Sequence, residues 1–269
     1  MSRWSRAAAV TALALASACA ARRPPLPSGP GTPFPDFVAA FEQATVACRD
    51  VPSLTASFSL SGRSGSTPLR GRIDAGLASP DRVRLEGFPP VLYGSKPFFI
   101  LVASGDRATL LLPRDDRVLD DARPEAIVEA LAGVALGPAD LRSVLAGCGL
   151  PATVPGNGRG YGSDWAAADT GGGTVYLQRI AGEWRVAAAS RGNMTVQYTG
   201  FEKGRATAIN IRTDAADRDS SADLTLKVSE VEFGTPLGEA VFDIQIPATA
   251  APLTLDELRR SGPLGGGGT

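Results

Sequence analysis

The segment Pro124-Glu125-Ala126-Ile127-Val128-Glu129-Ala130-Leu131-Ala132-Gly133, the turn Val134 to Gly137, and the segment Pro138-Ala139-Asp140-Leu141-Arg142-Ser143-Val144-Leu145-Ala146-Gly147 together decide the fold class. They read as two short helices. Pro124 and Pro138 each suit a first helical position, where a missing N–H costs nothing and φ is already close to helical. Ile127, Val128 and Leu131 recur at helical spacing in the first, and Leu141, Val144, Leu145 and Cys148 in the second. Gly133 and Gly147 stop them.

On both sides the period changes from about 3.6 to two. In Leu54 to Leu60, the residues Leu54, Ala56, Phe58 and Leu60 alternate with polar ones. Leu69 and Ile73 alternate with Arg70, Arg72 and Asp74, and Val83 and Leu85 with Arg82, Arg84 and Glu86. These are half-wet antiparallel strands. Phe98 to Ala103 and Ala108 to Leu112 are apolar on both faces and read as central strands. Alternation resumes at Thr174–Ile180, Trp184–Ala189, Thr195–Tyr198, Ala206–Thr213, Leu224–Val231 and Val241–Ile246. A further helix starts after Asp36, with Phe37, Val38, Phe41, Ala44 and Cys48 on one face. The expected class is α+β: a curved antiparallel sheet of about 11 strands, forming an incomplete barrel, with a lid of about three helices over an apolar cavity. Phe58, Leu60, Ile73, Val83, Leu85, Ile100 and Val102 are expected on its concave face, and Phe41, Ile127, Leu131, Leu141 and Leu145 on the lid.

The chain opens with Arg3 and Arg6, runs through apolar Ala7 to Leu15, and reaches Ala16-Ser17-Ala18-Cys19. That run is too short to span a bilayer and matches an export signal. Its small-residue end resembles a lipobox, with Ala16 where Leu is commoner, and so points to cleavage before Cys19 and lipidation of its thiol. An ordinary secretory cut after Ala18 is the other reading. Ala20 is not acidic, which favours an outer-membrane destination on the periplasmic face. Residues 1–18 are thus expected as signal, 19–35 as a Pro/Gly-rich tether, 36–246 as the domain, and 247–269 as a partly disordered tail.

The hydrophobic share of 43% and charged share of 20% are those of a globular chain. The formal charge of −1 becomes −3 when Arg3 and Arg6 leave. No basic stripe with interleaved aromatics is present, so nucleic acid is not an expected partner. The 269 residues include no histidine, which removes the commonest general base and the commonest zinc ligand. No cofactor or metal is expected, and no enzyme. Asp115-Asp116 and Asp120-Asp121 read as turn residues, and Gly171-Gly172-Gly173 lacks the Lys-Ser/Thr of a phosphate loop. Apart from Cys19, the cysteines are Cys48 and Cys148. They are either a disulfide, closing a loop for which chain entropy suggests about 4.7 kcal/mol, or a pair of buried thiols.

The two-helix segment, the strands around it and the lipobox resemble the lipoprotein-localisation carriers, the LolA/LolB family. Within it they are more similar to the outer-membrane lipoprotein receptor, LolB. The likeness covers roughly residues 36–246. It implies a half-barrel holding the acyl chains of lipoproteins or another lipid, anchored in the outer membrane, and a possible soluble periplasmic carrier as partner. It also implies a membrane-facing loop, here Phe88-Pro89-Pro90-Val91-Leu92-Tyr93-Gly94, with Phe88, Val91, Leu92 and Tyr93 either protruding or folded back into the barrel mouth. The alternative is an anchored cell-envelope scaffold lipoprotein that uses the same fold without lipid transfer.

Overall fold

The computed structural model describes residues 23–90, 96–150, 153, 156–214, 221–261 and 264. Strand β1 is Thr32–Phe34 and helix α1 Phe37–Arg49. Six strands follow: β2 Ser53–Ser64, β3 Thr67–Ala78, β4 Arg82–Phe88, β5 Phe99–Ser104, β6 Arg107–Leu112 and β7 Arg117–Ala122. Then come α2 Pro124–Ala132 and α3 Pro138–Ala146. The second run of strands is β8 Gly158–Tyr161, β9 Trp165–Asp169, β10 Thr174–Ile180, β11 Glu183–Arg191, β12 Met194–Tyr198, β13 Phe201–Glu202, β14 Arg205–Ala206, β15 Ala208–Thr213 and β16 Ala222–Phe233. A short β17, Ala251–Pro252, and α4, Leu255–Ser261, close the order.

Among the described residues, fifteen strands form one sheet in the order β1-β8-β9-β10-β11-β12-β15-β16-β2-β3-β4-β5-β6-β7-β17, and β13 and β14 pair apart as a hairpin. The sheet is antiparallel except where β17 joins β7 in parallel, and it ends at β1 and β17 without closing. The sequence had suggested about 11 strands. The additional ones are short strands with little alternation to read, such as Gly158–Tyr161 and Ala251–Pro252. The alternation at Val241–Ile246 is not a strand. Glu239–Phe242 forms a 3-10 turn instead, and the segment lies across the sheet, with Arg84 donating to the carbonyls of Val241 (3.1 Å) and Asp243 (3.0 Å).

One face of the sheet carries the helices. There Phe58, Leu60, Ile73, Val83 and Leu85 join Phe41, Ile127, Leu131 and Leu145 in one continuous core. At about 25 cal/mol per Å² of apolar area removed from water, this contact is the main stabilising term. The cross-strand register shows how the faces divide on β5. Val83 stands opposite Ala103 and Leu85 opposite Leu101 on the helix side, whereas Arg84 stands opposite Val102 and Glu86 opposite Ile100 on the other. Ile100 and Val102 therefore do not line the helix side as expected. They pack on the outer face under Phe242, Leu237, Val241 and Ile244. A strand apolar on both sides gives no parity signal, so composition alone could not assign them.

Described residues on both sides of 36–246 contact the sheet and core. Thr32–Phe34 pair with Gly158–Gly160, and Pro24 accepts a hydrogen bond from Gln197, so the described part of the Pro/Gly-rich segment lies on the sheet. Leu253, Leu258 and Leu264, beyond the boundary expected at 246, are buried in the core. Thr254 and Glu257 cap α4 reciprocally: the Thr254 N–H donates to the Glu257 carboxylate (2.9 Å), and the Glu257 N–H donates to the Thr254 hydroxyl (3.3 Å).

Candidate functional site

The candidate site is the apolar interior between the sheet and its helical cover. Of the twelve expected lining residues, nine meet there and are buried: Phe41, Phe58, Leu60, Ile73, Val83, Leu85, Ile127, Leu131 and Leu145. Leu141 is half-buried against the same core, and Ile100 and Val102 are on the far face. Several large side chains absent from the expected set are fully enclosed, among them Phe37, Leu54, Leu77, Phe99, Leu101, Leu110 and Leu112. Val134 and Leu136, from the turn between α2 and α3, are also buried. The sheet and cover thus interdigitate, and the interior between them is filled by the protein's own side chains.

Three attachments hold α3 down. Cys48, on the buried face of α1, is disulfide-bonded to Cys148 just after α3, with Cα atoms 5.7 Å apart. Asp140, in the first turn of α3, accepts two hydrogen bonds from the Arg191 guanidinium of β11 at 2.9 and 2.7 Å. This forked geometry fits a carboxylate, and it raises the Arg191 pKa above its usual range. The Asp140 carboxylate also accepts the Gly137 N–H at 3.3 Å, capping the helix. Finally, the Tyr198 hydroxyl of β12 donates to the Val144 carbonyl (2.8 Å) and accepts the Gly149 N–H (2.9 Å). Burial pushes the Tyr198 phenol well above its ordinary pKa, so it stays neutral and serves as a buried clamp.

Helix α2 is seated differently. Pro124, Ile127, Val128, Leu131 and Ala132 face the core. At its exposed side Arg259 of α4 approaches Glu129 at 3.9 Å. Its C-terminal Gly133 is left-handed (φ +75°), and an added Cβ would stand 2.2 Å from the Ser64 hydroxyl, so the helix end meets the β2–β3 turn at its closest approach. Beside this contact is a cavity of about 450 Å³ lined by Ser64–Thr67, Leu69, Glu129–Leu131, Gly133 and Arg259.

A second cavity, of about 430 Å³, lies at the opposite end of the cover. Ala44, Val46, Ala47, Trp184, Val186, Phe201 and Phe233 form its apolar walls, with Arg185, Lys203 and Arg205 among its polar residues. Val46 is 72% exposed there, an unusual position for a branched apolar side chain on a helix that otherwise packs well. The sequence periodicity of α1 gave no reason to single it out, since Val46 lies off the apolar stripe.

Of the expected membrane-facing loop, Phe88 is half-buried beneath the Arg72 guanidinium, 4.6 Å from the ring centre. Val91, Leu92 and Tyr93 lie outside the described residues, as does Cys19.

No protein-family model matches the sequence, and no curated protein matches it. Solved structures do. A LolA superfamily protein from Nitrosomonas europaea superposes with a TM-score of 0.54 at 12% identity, over 77% of this chain and 97% of that one. The chain has the LolA-type fold. The LolA-like frame is a mixed α+β arrangement with a large, unclosed, mostly antiparallel sheet and few helices, as seen here. Lower superpositions are to a candidate outer membrane lipoprotein-sorting protein domain from Vibrio parahaemolyticus (TM-score 0.46, 10% identity, 77% of this chain and 96% of that one) and a DUF1329 family protein from Desulfovibrio piger (0.47, 12%, 78% and 98%).

Proposed function

We propose that this protein is an outer-membrane-anchored lipoprotein that binds acyl chains, those of lipoproteins in transit or of another lipid, between its sheet and its helical cover, and helps deliver them to the outer membrane. The observation that carries the reading is the interior itself: a continuous apolar core shared by the sheet and three helices, one of which, α2, rests mainly on apolar contact. An acylated cargo exposes many methylenes at about 0.8 kcal/mol each in water. Acyl chains can replace the side chains of a lifted cover one for one in kind, apolar for apolar, so opening is offset by burial of the ligand. Delivery then needs only an acceptor that binds the chains more tightly. Lipidation at Cys19 would supply the anchor and a periplasmic carrier the cargo. The fold shared with a LolA superfamily protein supports the reading, and the absence of histidine agrees with binding rather than chemistry.

A second reading follows from the same interior. Because the interior is filled, the domain can equally serve as an anchored scaffold that presents its faces to an envelope partner without taking lipid. Native mass spectrometry of the chain from Cys19 onward, mixed with a triacylated peptide, separates the two. A stoichiometric complex that is lost when Ile127→Asp is introduced in α2, while Ile100→Asp on the outer face leaves it intact, supports the carrier. Absence of any complex with the Cys48–Cys148 bridge intact supports the scaffold.

A further inference from the structure

We propose that the protein stands on the bilayer by one defined end of its sheet, the end formed by the β2–β3 turn and the strand ends of β15 and β16, with outer-face arginines there meeting anionic headgroups. The proposal rests on the reading of Cys19 as the anchor point and adds to it an orientation.

The argument starts from where the N-terminal segment is held. Arg23 forms an ion pair with Asp223, the second residue of β16. The next residue, Pro24, accepts a hydrogen bond from Gln197 of β12 at 2.8 Å. Further along, the Gly29 carbonyl accepts from Tyr161 at 3.0 Å, and Thr32–Phe34 add a strand to β8. From residue 23 on, the Pro/Gly-rich segment is therefore a strap fixed on the sheet and not a free linker. Four Cα steps separate Cys19 from Arg23, and a trans chain spans at most about 3.6 Å per step, so the acylated residue stays within about 14 Å of the Arg23 Cα, whose side chain is held on Asp223. Strands β2 and β16 each run 12 residues, about 40 Å at the usual rise, so their other ends at Ser53 and Phe233 are beyond the reach of that anchor.

The side chains at the near end suit a headgroup layer. Asp223 stands in register with Arg63 of β2 and with Arg212 of β15, and Arg70 of β3 follows on the next row opposite Ser61. Arg63 and Arg70 are exposed, and neither has an ion-pair partner among the described residues. Arg212 pairs with Asp214 at 3.2 Å. Among the described residues of this end, four arginines (23, 63, 70 and 212) stand with two aspartates (214 and 223). The end is thus net positive in a chain whose total charge is negative. Arginines near a membrane surface each strengthen binding to anionic lipid, and the effect fades over a Debye length.

The orientation places the 450 Å³ cavity beside Gly133 at the membrane end and the 430 Å³ cavity lined by Trp184 and Phe233 at the other. A cargo chain leaving past α2 would emerge toward the bilayer.

The test couples the chain from Cys19 onward, through the Cys19 thiol, to a maleimide lipid in vesicles containing anionic phospholipid, and reads amide hydrogen exchange against the uncoupled chain. The expected result is slowed exchange in residues 63–70 and 222–225 with residues 233–235 unchanged. Arg63→Gln with Arg70→Gln should reduce that protection and weaken headgroup association about thirtyfold at low salt. Asp223→Ala with Gln197→Ala, which frees the strap from Arg23 up to its next hold at Gly29, should erase the difference between the two ends. Equal protection at both ends, protection at 233–235 alone, no protection anywhere, or a difference that survives release of the strap would each overturn the proposal. Intact mass of the chain from cells reports separately whether Cys19 is acylated, so failure of the anchor reading and failure of the orientation are read in different measurements.

Discussion

Helices α2 and α3 have the same length, both begin at a proline and both end at a left-handed glycine, yet they are fastened to the sheet in different ways. Helix α3 is tied by a disulfide, a forked carboxylate–guanidinium pair and a buried tyrosine clamp. Helix α2 is seated by apolar side chains, with one longer ion pair to α4. Apolar contact is non-directional and can be exchanged for contact with another apolar surface, whereas directional bonds are lost when their partners separate. In the lipid-binding reading proposed above, α2 is therefore the part of the cover free to lift and α3 the part held in place.

Removing the covalent tie should have the largest effect. Cys48→Ser with Cys148→Ser opens a loop whose ends are 100 residues apart and should lower stability by about 4 kcal/mol in urea unfolding, within the range for native disulfides. An equal effect on lipid binding and on stability would make α3, not α2, the moving part. Asp140→Ala should remove about 2 kcal/mol, because it takes both Arg191 bonds and a helix cap together. A double-mutant cycle with Arg191→Ala would expose the coupling, and additivity there would contradict the forked pair. Tyr198→Phe leaves the Val144 carbonyl and the Gly149 N–H without their buried partner and should cost about 2 kcal/mol with little change at α2, as thermal unfolding and local amide exchange would show. Gly133→Ala is expected to cost about 1 to 2 kcal/mol, through the left-handed backbone and the crowding of the Ser64 hydroxyl, felt in α2 and at the end of β2.

The smallest effect concerns α4, which supports α2. The Thr254 N–H, then Arg117 and the Thr254 hydroxyl, hold the Glu257 carboxyl at a pKa of about 2, below its ordinary value. A carboxyl depressed in the folded state stabilises above its unfolded pKa, and that contribution disappears as pH falls from about 4.5 toward 2. Glu257→Gln should accordingly melt earlier than the parent at pH 7 and alongside it near pH 2. A gap of the same size at both pH values would mean that the charge of Glu257 plays no part.

Much of this arrangement was legible from residue order. Pro124, Gly133, Pro138 and Gly147 marked both cover helices within a residue, because proline and glycine act through local backbone geometry. Alternation on β2, β3 and β4 identified the inner face, since their outer residues are polar. It failed on β5, where Ile100 and Val102 are covered by a segment about 140 residues later in the chain. It failed likewise for the tail, whose leucines are too widely spaced to show a period and are buried only because the parallel β17–β7 pairing brings them over the core. The attachments of α3 join residues 51 and 54 positions apart, and nothing in the local pattern distinguishes Asp140 or Tyr198 from other polar residues. The docked strap escaped notice for a similar reason: Pro/Gly-rich composition reports what a segment cannot form alone, not what it can lie against.

The most direct measurement is amide hydrogen exchange across α2 and α3 in the oxidised protein, with and without a triacylated peptide. The account predicts that α2 opens at lower free energy than α3 in the free protein, and that the peptide changes exchange in α2 and in the inner-face strands while α3 stays protected. Equal protection of the two helices, unaffected by the peptide, would contradict it.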